Sequence, residues 1–176
     1  MGLQLILCME TNEKVKSDYI YINNTIKFFY ELDKSNIRIS PVYMCGKGNY
    51  NSSGVRKKIS KYFSMYDGAA KNNRSKVIYC FDCDNYDKKS EDAIFLDKVK
   101  KYCEENDYEF VWFCKDIEQV YLGYSVSDSD KKKEAMAFDA RKKIRDVDIG
   151  KLRVNKYLLH KSNLCCVLDK YLTFKK

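Results

Sequence analysis

The chain has 176 residues, of which 45% are hydrophobic and 33% charged, and its formal net charge is +8. This length suits one domain with a substantial core. No run reaches the roughly 18 apolar residues of a membrane span, and residues 3–9 are too short and lack the basic flank of a signal peptide. We therefore expect a cytoplasmic protein without membrane contact, whose charge favours an anionic partner such as nucleic acid.

The first third of the chain alternates apolar and amphipathic segments. Residues 3–9 predict a buried strand that stops at Glu10, and residues 17–32 predict a helix that Ser17 or Asp18 could cap. Residues 37–44 predict a second strand, which we place at a sheet edge or a bulge because Pro41 lacks a backbone N–H. Elements of both kinds are therefore expected before residue 45.

Basic side chains follow in a loop and a helix. The glycine-rich loop 45–54 could bring Lys47 to a phosphate, although it lacks the pattern of a Walker loop. Residues 55–66 predict a helix that carries Arg56 and Lys57 among aromatic residues. This helix is either a nucleic-acid surface or a core helix with a solvated basic face.

The most informative stretch is residues 77–84, VIYCFDCD. Its β-branched and aromatic run predicts a central parallel strand that ends at Asp82 and Asp84. Two carboxylates this close repel each other unless a proton or a cation lies between them, and carboxylate oxygens suit magnesium or manganese. The plainer alternative is that the pair caps a helix or begins a solvated turn. A zinc site at Cys80 and Cys83 is disfavoured because no second ligand pair follows.

The rest of the chain predicts a helix at 91–106 and a fourth strand at 108–114, which runs into Asp116 and Glu118. This alternation indicates an α/β fold with a doubly wound, mainly parallel four-stranded sheet flanked by helices. We expect this domain to span residues 1–123. Residues 124–176 would form a charged helical extension packed on the same domain, with a solvated or ligand-covering segment at 131–148 and a terminal helix within 156–174.

Acidic residues therefore stand at the predicted carboxyl ends of three strands: Glu10, the pair Asp82 and Asp84, and the pair Asp116 and Glu118. Parallel strands bring these ends to one rim of the sheet, which is where open α/β sheets bind ligands. We expect residues more than seventy positions apart to share a metal site there.

The chain resembles the TOPRIM domain of topoisomerases, primases, OLD-family nucleases and RloB-like proteins of prokaryotic defence loci. The resemblance covers residues 3–123 and rests on LILCME (5–10) as the glutamate motif and VIYCFDCD (77–84) as the Asp-x-Asp motif. It implies a Mg2+- or Mn2+-dependent site in which Asp82 and Asp84 bind metal and Glu10 binds metal or acts as general acid or base. Glu118 would match the acidic motif that RloB-like members carry after the next strand, as a further metal ligand.

The resemblance, with the basic charge, implies metal-dependent phosphodiester hydrolysis of DNA or RNA by a small nuclease of phage defence or of a mobile element. Lys47, Arg56 and Lys57 would hold the phosphate backbone. Two alternatives stay open: a degenerate TOPRIM module that binds nucleic acid or a partner protein, and a nucleotide-sugar transferase whose Asp-x-Asp binds manganese. The sequence leaves open whether the chain forms a homo-oligomer.

Overall fold

Four parallel strands that alternate with helices form the centre of the protein, which a computed structural model describes from residue 2 to residue 175. In chain order the elements are β1 (Leu3–Met9), α1 (Ser17–Phe29), β2 (Ile37–Tyr43), α2 (Ser53–Asp67), β3 (Arg74–Asp82), α3 (Ser90–Glu105), β4 (Glu109–Cys114), α4 (Ile117–Leu122), α5 (Lys131–Ala140), β5 (Lys161–Ser162) and α6 (Leu164–Leu168). Short 3-10 turns lie at Lys47–Asn49, Lys143–Asp146 and Ile149–Leu152.

The sheet has the strand order β2-β1-β3-β4-β5. β1 pairs in parallel with both β2 and β3, and β3 pairs in parallel with β4. The predicted α/β class and mainly parallel sheet are confirmed, and β2 lies at an edge, where Pro41 is tolerated. The predicted number of four strands is wrong, because the two-residue strand β5 adds an antiparallel edge beside β4.

Helices cover both faces of the sheet, and the alternation of side chains along each strand explains why. On β1, Leu5 and Leu7 face a core that also contains residues of α1, α4, α5 and α6, whereas Ile6 and Cys8 face a second core formed with α2 and α3. All four strand residues have no exposed surface. A strand buried on both faces reads as a continuous apolar run, as β1 does. The architecture is therefore compatible with a doubly wound fold.

The start of β3 differs from the prediction, which began this strand at residue 77. The strand begins at Arg74 and pairs with β1 from that residue on. Its polar beginning is accommodated by Gln4, a fully buried side chain that donates to the Ser40 hydroxyl at 2.7 Å and accepts from the Ser75 hydroxyl at 2.9 Å. Ser75 can therefore lie in a strand, because its hydroxyl finds a hydrogen-bond partner in Gln4 on the neighbouring strand β1.

The segment after residue 123 is less helical than predicted. The charged stretch 131–148 forms α5 only as far as Ala140 and then 3-10 turns. The terminal helix predicted within 156–174 is reduced to α6, since Leu158 and Leu159 are about half exposed and His160 has a left-handed φ of 59°. The apolar residues of 156–174 thus mimic a helical pattern without forming one long helix.

α5 packs on α1 through the two residues of its thin apolar stripe that are buried, Ala135 and Phe138. The Phe138 ring lies edge-on to Tyr21 of α1, with ring centres 5.0 Å apart, and edge-on to Tyr121 of α4 at 5.7 Å. None of the helices in residues 2–175 is both long and apolar enough to cross a membrane.

Candidate metal centre

Glu10 and Asp82 meet at the carboxyl rim of the sheet because β1 and β3 are parallel neighbours. The Asp82 backbone N–H donates to Glu10 Oε1 at 2.9 Å, and Asp82 Oδ1 in turn accepts from the Ile117 N–H at 2.9 Å. These bonds join the ends of β1 and β3 to the start of α4. Both side chains line an open cavity of about 520 Å³. The predicted convergence of these two acids therefore exists.

Asp18 enters the same cavity from the first turn of α1 and is only 8% exposed. The sequence allows Asp18 to cap α1, but the structure gives this helix no side-chain cap. Asp18 instead accepts hydrogen bonds from the Thr11 N–H at 3.3 Å and the Ser17 hydroxyl at 3.2 Å. Sequence reasoning missed Asp18 as a site residue, since an acid in the first turn of a helix usually has only a local role.

Glu118 is the most deeply buried acid of the site, with no exposed surface. It lies in the first turn of α4, whose N-terminus is capped by Asp116 accepting from the Gln119 N–H at 2.7 Å. Neither Glu118 oxygen has a hydrogen-bond partner among residues 2–175. A buried carboxylate without donors is costly, and it is stabilised by a proton or a cation.

We define the acidic cluster as Glu10, Asp18, Asp82 and Glu118. Burial raises the pKa of Glu10 to about 8, and the negative charges of Asp18 and Asp84 add to the effect while the Asp82 N–H opposes it. Burial, opposed by Lys131, raises the pKa of Glu118 to about 7. The pKa values of Asp18 and Asp82 are raised as well, in both cases chiefly by burial. The acidic cluster therefore favours uptake of positive charge.

Lys131, the first residue of α5, supplies one positive charge to the acidic cluster. Its Nζ atom lies 3.7 Å from Glu118 Oε2, and the residue lines the same cavity as Glu10. Burial alone would lower the pKa of Lys131, but attraction by Glu118, Asp82 and Asp18 outweighs burial and raises it. One ammonium thus attracts three carboxyl groups of the acidic cluster, those of Glu118, Asp82 and Asp18.

Asp84 is separated from Asp82 although only one residue lies between them. In a regular strand both would share a face, but Asp84 has a left-handed φ of 49° that turns the chain away. Its carboxylate forms an ion pair with Lys47, which also pairs with Asp92 at 3.1 Å. Asp84 lines a neighbouring cavity of about 450 Å³ together with Lys115. It remains close enough to Glu10 to raise the pKa of that residue.

The three predicted phosphate ligands, Lys47, Arg56 and Lys57, lie outside the acidic cluster. Lys47 follows β2 in the loop that passes Glu10, where the Gly46 N–H donates to the Glu10 carbonyl at 2.8 Å. Arg56 and Lys57 are exposed near the start of α2 and form no ion pair with the residues the structure describes. Of the three, only Lys47 is therefore tied to the rim where the acids lie.

The donor set of the acidic cluster fits a hard divalent cation, since every potential ligand is a carboxylate oxygen and the two oxygens of Glu118 lack any donor. Within residues 2–175, however, no three histidine, cysteine, aspartate or glutamate side chains are placed so that they could ligate one ion directly. The carboxylates surround an ammonium in the present geometry. Ligation would therefore need side-chain movement.

Comparison with known proteins gives no relative: no family model, no curated protein and no solved structure matches the chain.

Proposed function

We propose that this protein is a magnesium- or manganese-dependent phosphodiesterase that hydrolyses nucleic acid, a nuclease of the TOPRIM type. The observation that carries the proposal is the acidic cluster, in which Glu118 is fully buried and neither of its oxygens has a hydrogen-bond donor among the described residues. Buried acids with raised pKa values in a cleft at the carboxyl ends of parallel strands mark a functional site more often than a structural one.

Glu10, Asp82 and Glu118 would hold the metal, with Asp18 beside them. A divalent cation bound there would polarise a phosphate oxygen and stabilise the leaving oxygen. Phosphoryl transfer is catalysed mainly by positioning and by charge stabilisation, which the rim of this sheet can supply. Asp82 is held for this role by the Ile117 N–H, and Glu10 by the Asp82 N–H.

The protein's own groups supply the proton and the positive charge of the reaction. In the metal-free protein the pKa of Glu10 is raised to about 8, so Glu10 can carry a proton at neutral pH. If Glu10 stays outside the metal's ligand set, it could act as the general acid that gives this proton to the leaving oxygen. Lys47, Arg56 and Lys57 would bind phosphates of the nucleic acid. Their contacts would carry no sequence information.

A second candidate function follows from Lys131. An ammonium among buried carboxylates is a stable arrangement without metal, and it favours a catalytically degenerate TOPRIM-like module that only binds nucleic acid. The two candidates separate by their response to chelators. Binding of nucleic acid that continues in EDTA, without any cleavage in Mg2+ or Mn2+, is the result that the binding module predicts.

The proposed activity is tested by incubating the protein with single- and double-stranded DNA and RNA in Mg2+, in Mn2+ and in EDTA. We expect cleavage of at least one substrate in metal and none in EDTA. The variant Glu10→Gln keeps the size of the side chain but loses the charge, so we expect at least about a 100-fold loss of cleavage rate.

Asp107→Asn is the matched control for that assay, because Asp107 is an exposed acid paired with Lys76 at the amino end of the sheet. It should cleave at the wild-type rate. Absence of cleavage for all four substrates in both metals would contradict the proposed activity, as would cleavage that persists in EDTA.

A further inference from the structure

Lys131 holds a position that a divalent cation would need. Its ammonium lies 3.7 Å from Glu118 Oε2 and 3.5 Å from Asp128 Oδ1, and it contributes to the wall of the cavity that contains Glu10, Asp18 and Asp82. Only 22% of the Lys131 side chain is exposed. A lysine this far removed from water stays charged because the surrounding carboxylates attract it.

The ammonium balances charge in the cavity, but it does not satisfy the acceptors there. A separation of 3.7 Å is longer than a hydrogen bond, and both oxygens of Glu118 remain without a donor among the described residues. A divalent cation carries twice the charge and would bind these oxygens directly. A cation bound to the Glu118 oxygens would lie close to the Lys131 ammonium, and two cations this close repel each other in a partly buried site.

The position of Lys131 in the chain allows the ammonium to leave. It is the first residue of α5, after the largely exposed residues 124–130, and Asp130 makes no side-chain cap to this helix. The hydrogen bonds of residues 124–130 that the structure describes all stay within 124–134, as in the Tyr124 hydroxyl bond to Glu134. Farther along α5, the buried Ala135 and Phe138 hold the helix on α1. Lys131 is thus the main polar link between this segment and the acidic cluster.

We propose that Lys131 is a built-in competitor of the metal: it occupies the acidic cluster when no divalent cation is bound, and a divalent cation expels it and frees residues 124–131. This inference rests on the proposed function, because it requires that the acidic cluster binds a metal. It adds a regulatory step, in which entry of the metal and detachment of the segment that borders the cavity are one event.

The test is the affinity of the whole protein for Mn2+, measured by electron paramagnetic resonance of the free ion. Lys131→Met removes the ammonium and keeps an apolar chain of similar length, and we expect Mn2+ to bind at least tenfold more tightly than to the wild type. Lys132→Met removes the same charge from the next, exposed residue of α5 and should change the affinity less than threefold. Equal or weaker affinity in Lys131→Met, or equal gains in both variants, would overturn the competition.

Amide hydrogen exchange provides an independent readout of the segment. In the wild type, saturating Mg2+ should speed exchange in 124–131, while Lys131→Met should already exchange at the faster rate without Mg2+. Unchanged exchange in the wild type would sink the proposal even if Mn2+ binds. If Mn2+ binds neither the wild type nor Lys131→Met, the proposed metal site itself is wrong. If Mn2+ binds both with equal affinity, the metal site stands and only the competition by Lys131 is wrong.

Discussion

The variant Asp82→Asn is expected to lower the rate of metal-dependent cleavage about 1,000-fold or more, with little change in stability. Asparagine keeps an oxygen that accepts the Ile117 N–H, so the join between β3 and α4 survives. It lacks the charge that holds a divalent cation, and the charge stabilisation that such a cation supplies is worth several kcal/mol. Cleavage assays and thermal unfolding, both measured on the same preparation, give the loss of rate and the change in stability.

Asp84→Asn is the matched comparison, because it is the same chemical change two residues away. Asp84 pairs with Lys47 and lines a different cavity, so its replacement should reduce cleavage far less, about tenfold. Equal losses of cleavage rate in the two variants would mean that both aspartates ligate the metal. Asp84 would then have to break its ion pair with Lys47 when the metal binds. A larger loss in Asp84→Asn would contradict the assignment of Asp82 as the main ligand.

Glu118→Gln is expected to stabilise the metal-free protein by about 3 kcal/mol at pH 8. Burial raises the pKa of Glu118 from its ordinary value of 4.5 to about 7 in the folded protein. Between these values the folded chain binds the proton more tightly than the unfolded chain, so the free energy of unfolding falls as the pH rises from about 4.5 to 7. Glutamine does not titrate, so the free energy of unfolding of the variant does not fall in this way.

The measurement for Glu118→Gln is the free energy of unfolding by urea in EDTA at pH 5 and pH 8. The variant should exceed the wild type by less than about 1 kcal/mol at pH 5 and by about 3 kcal/mol at pH 8. Glu104→Gln, an exposed acid on α3, is the control and should change stability by less than about 0.5 kcal/mol at either pH. A variant that is less stable than the wild type at pH 8 would contradict the raised pKa of Glu118.

The strands of the sheet could be predicted because their signals are local and strong. The runs that became β1, β3 and β4 are apolar over their buried lengths and stop at acids, as strands covered on both faces do. β5 could not be predicted, since two residues, Lys161 and Ser162, carry no periodicity. Lys161 and Ser162 form a strand only because they pair with Cys114 and Phe113 at the free edge of β4.

The candidate site could be predicted only in part, for reasons that are geometric. Glu10 and Asp82 end or directly follow apolar runs, and Glu118 comes four residues after Cys114, the last residue of β4. Parallel pairing brings these strand ends to one rim. Asp84 belongs to the Asp-x-Asp motif but lies outside the acidic cluster because its backbone is left-handed. The residue type alone does not predict this backbone conformation. Asp18 joins the group only because the loop after Glu10 turns the first helical turn of α1 back toward the rim.

Lys131 illustrates the other limit of sequence reasoning. It stands in the run KKK, where three lysines look equally solvated. Packing of Ala135 and Phe138 on α1 sets the rotation of α5, and this rotation turns Lys131 to the acidic cluster while Lys132 and Lys133 remain exposed. A tertiary contact farther along the same helix thus decides which lysine becomes the counter-ion.

The most direct measurement is anomalous X-ray scattering at the manganese edge, from crystals of the wild-type protein soaked in Mn2+. We expect manganese within coordination distance of carboxylate oxygens of Glu10, Asp82 and Glu118, with the Lys131 ammonium moved out of the cavity. Crystals in which Lys131 stays beside Glu118, with manganese absent from the acidic cluster, would contradict this expectation.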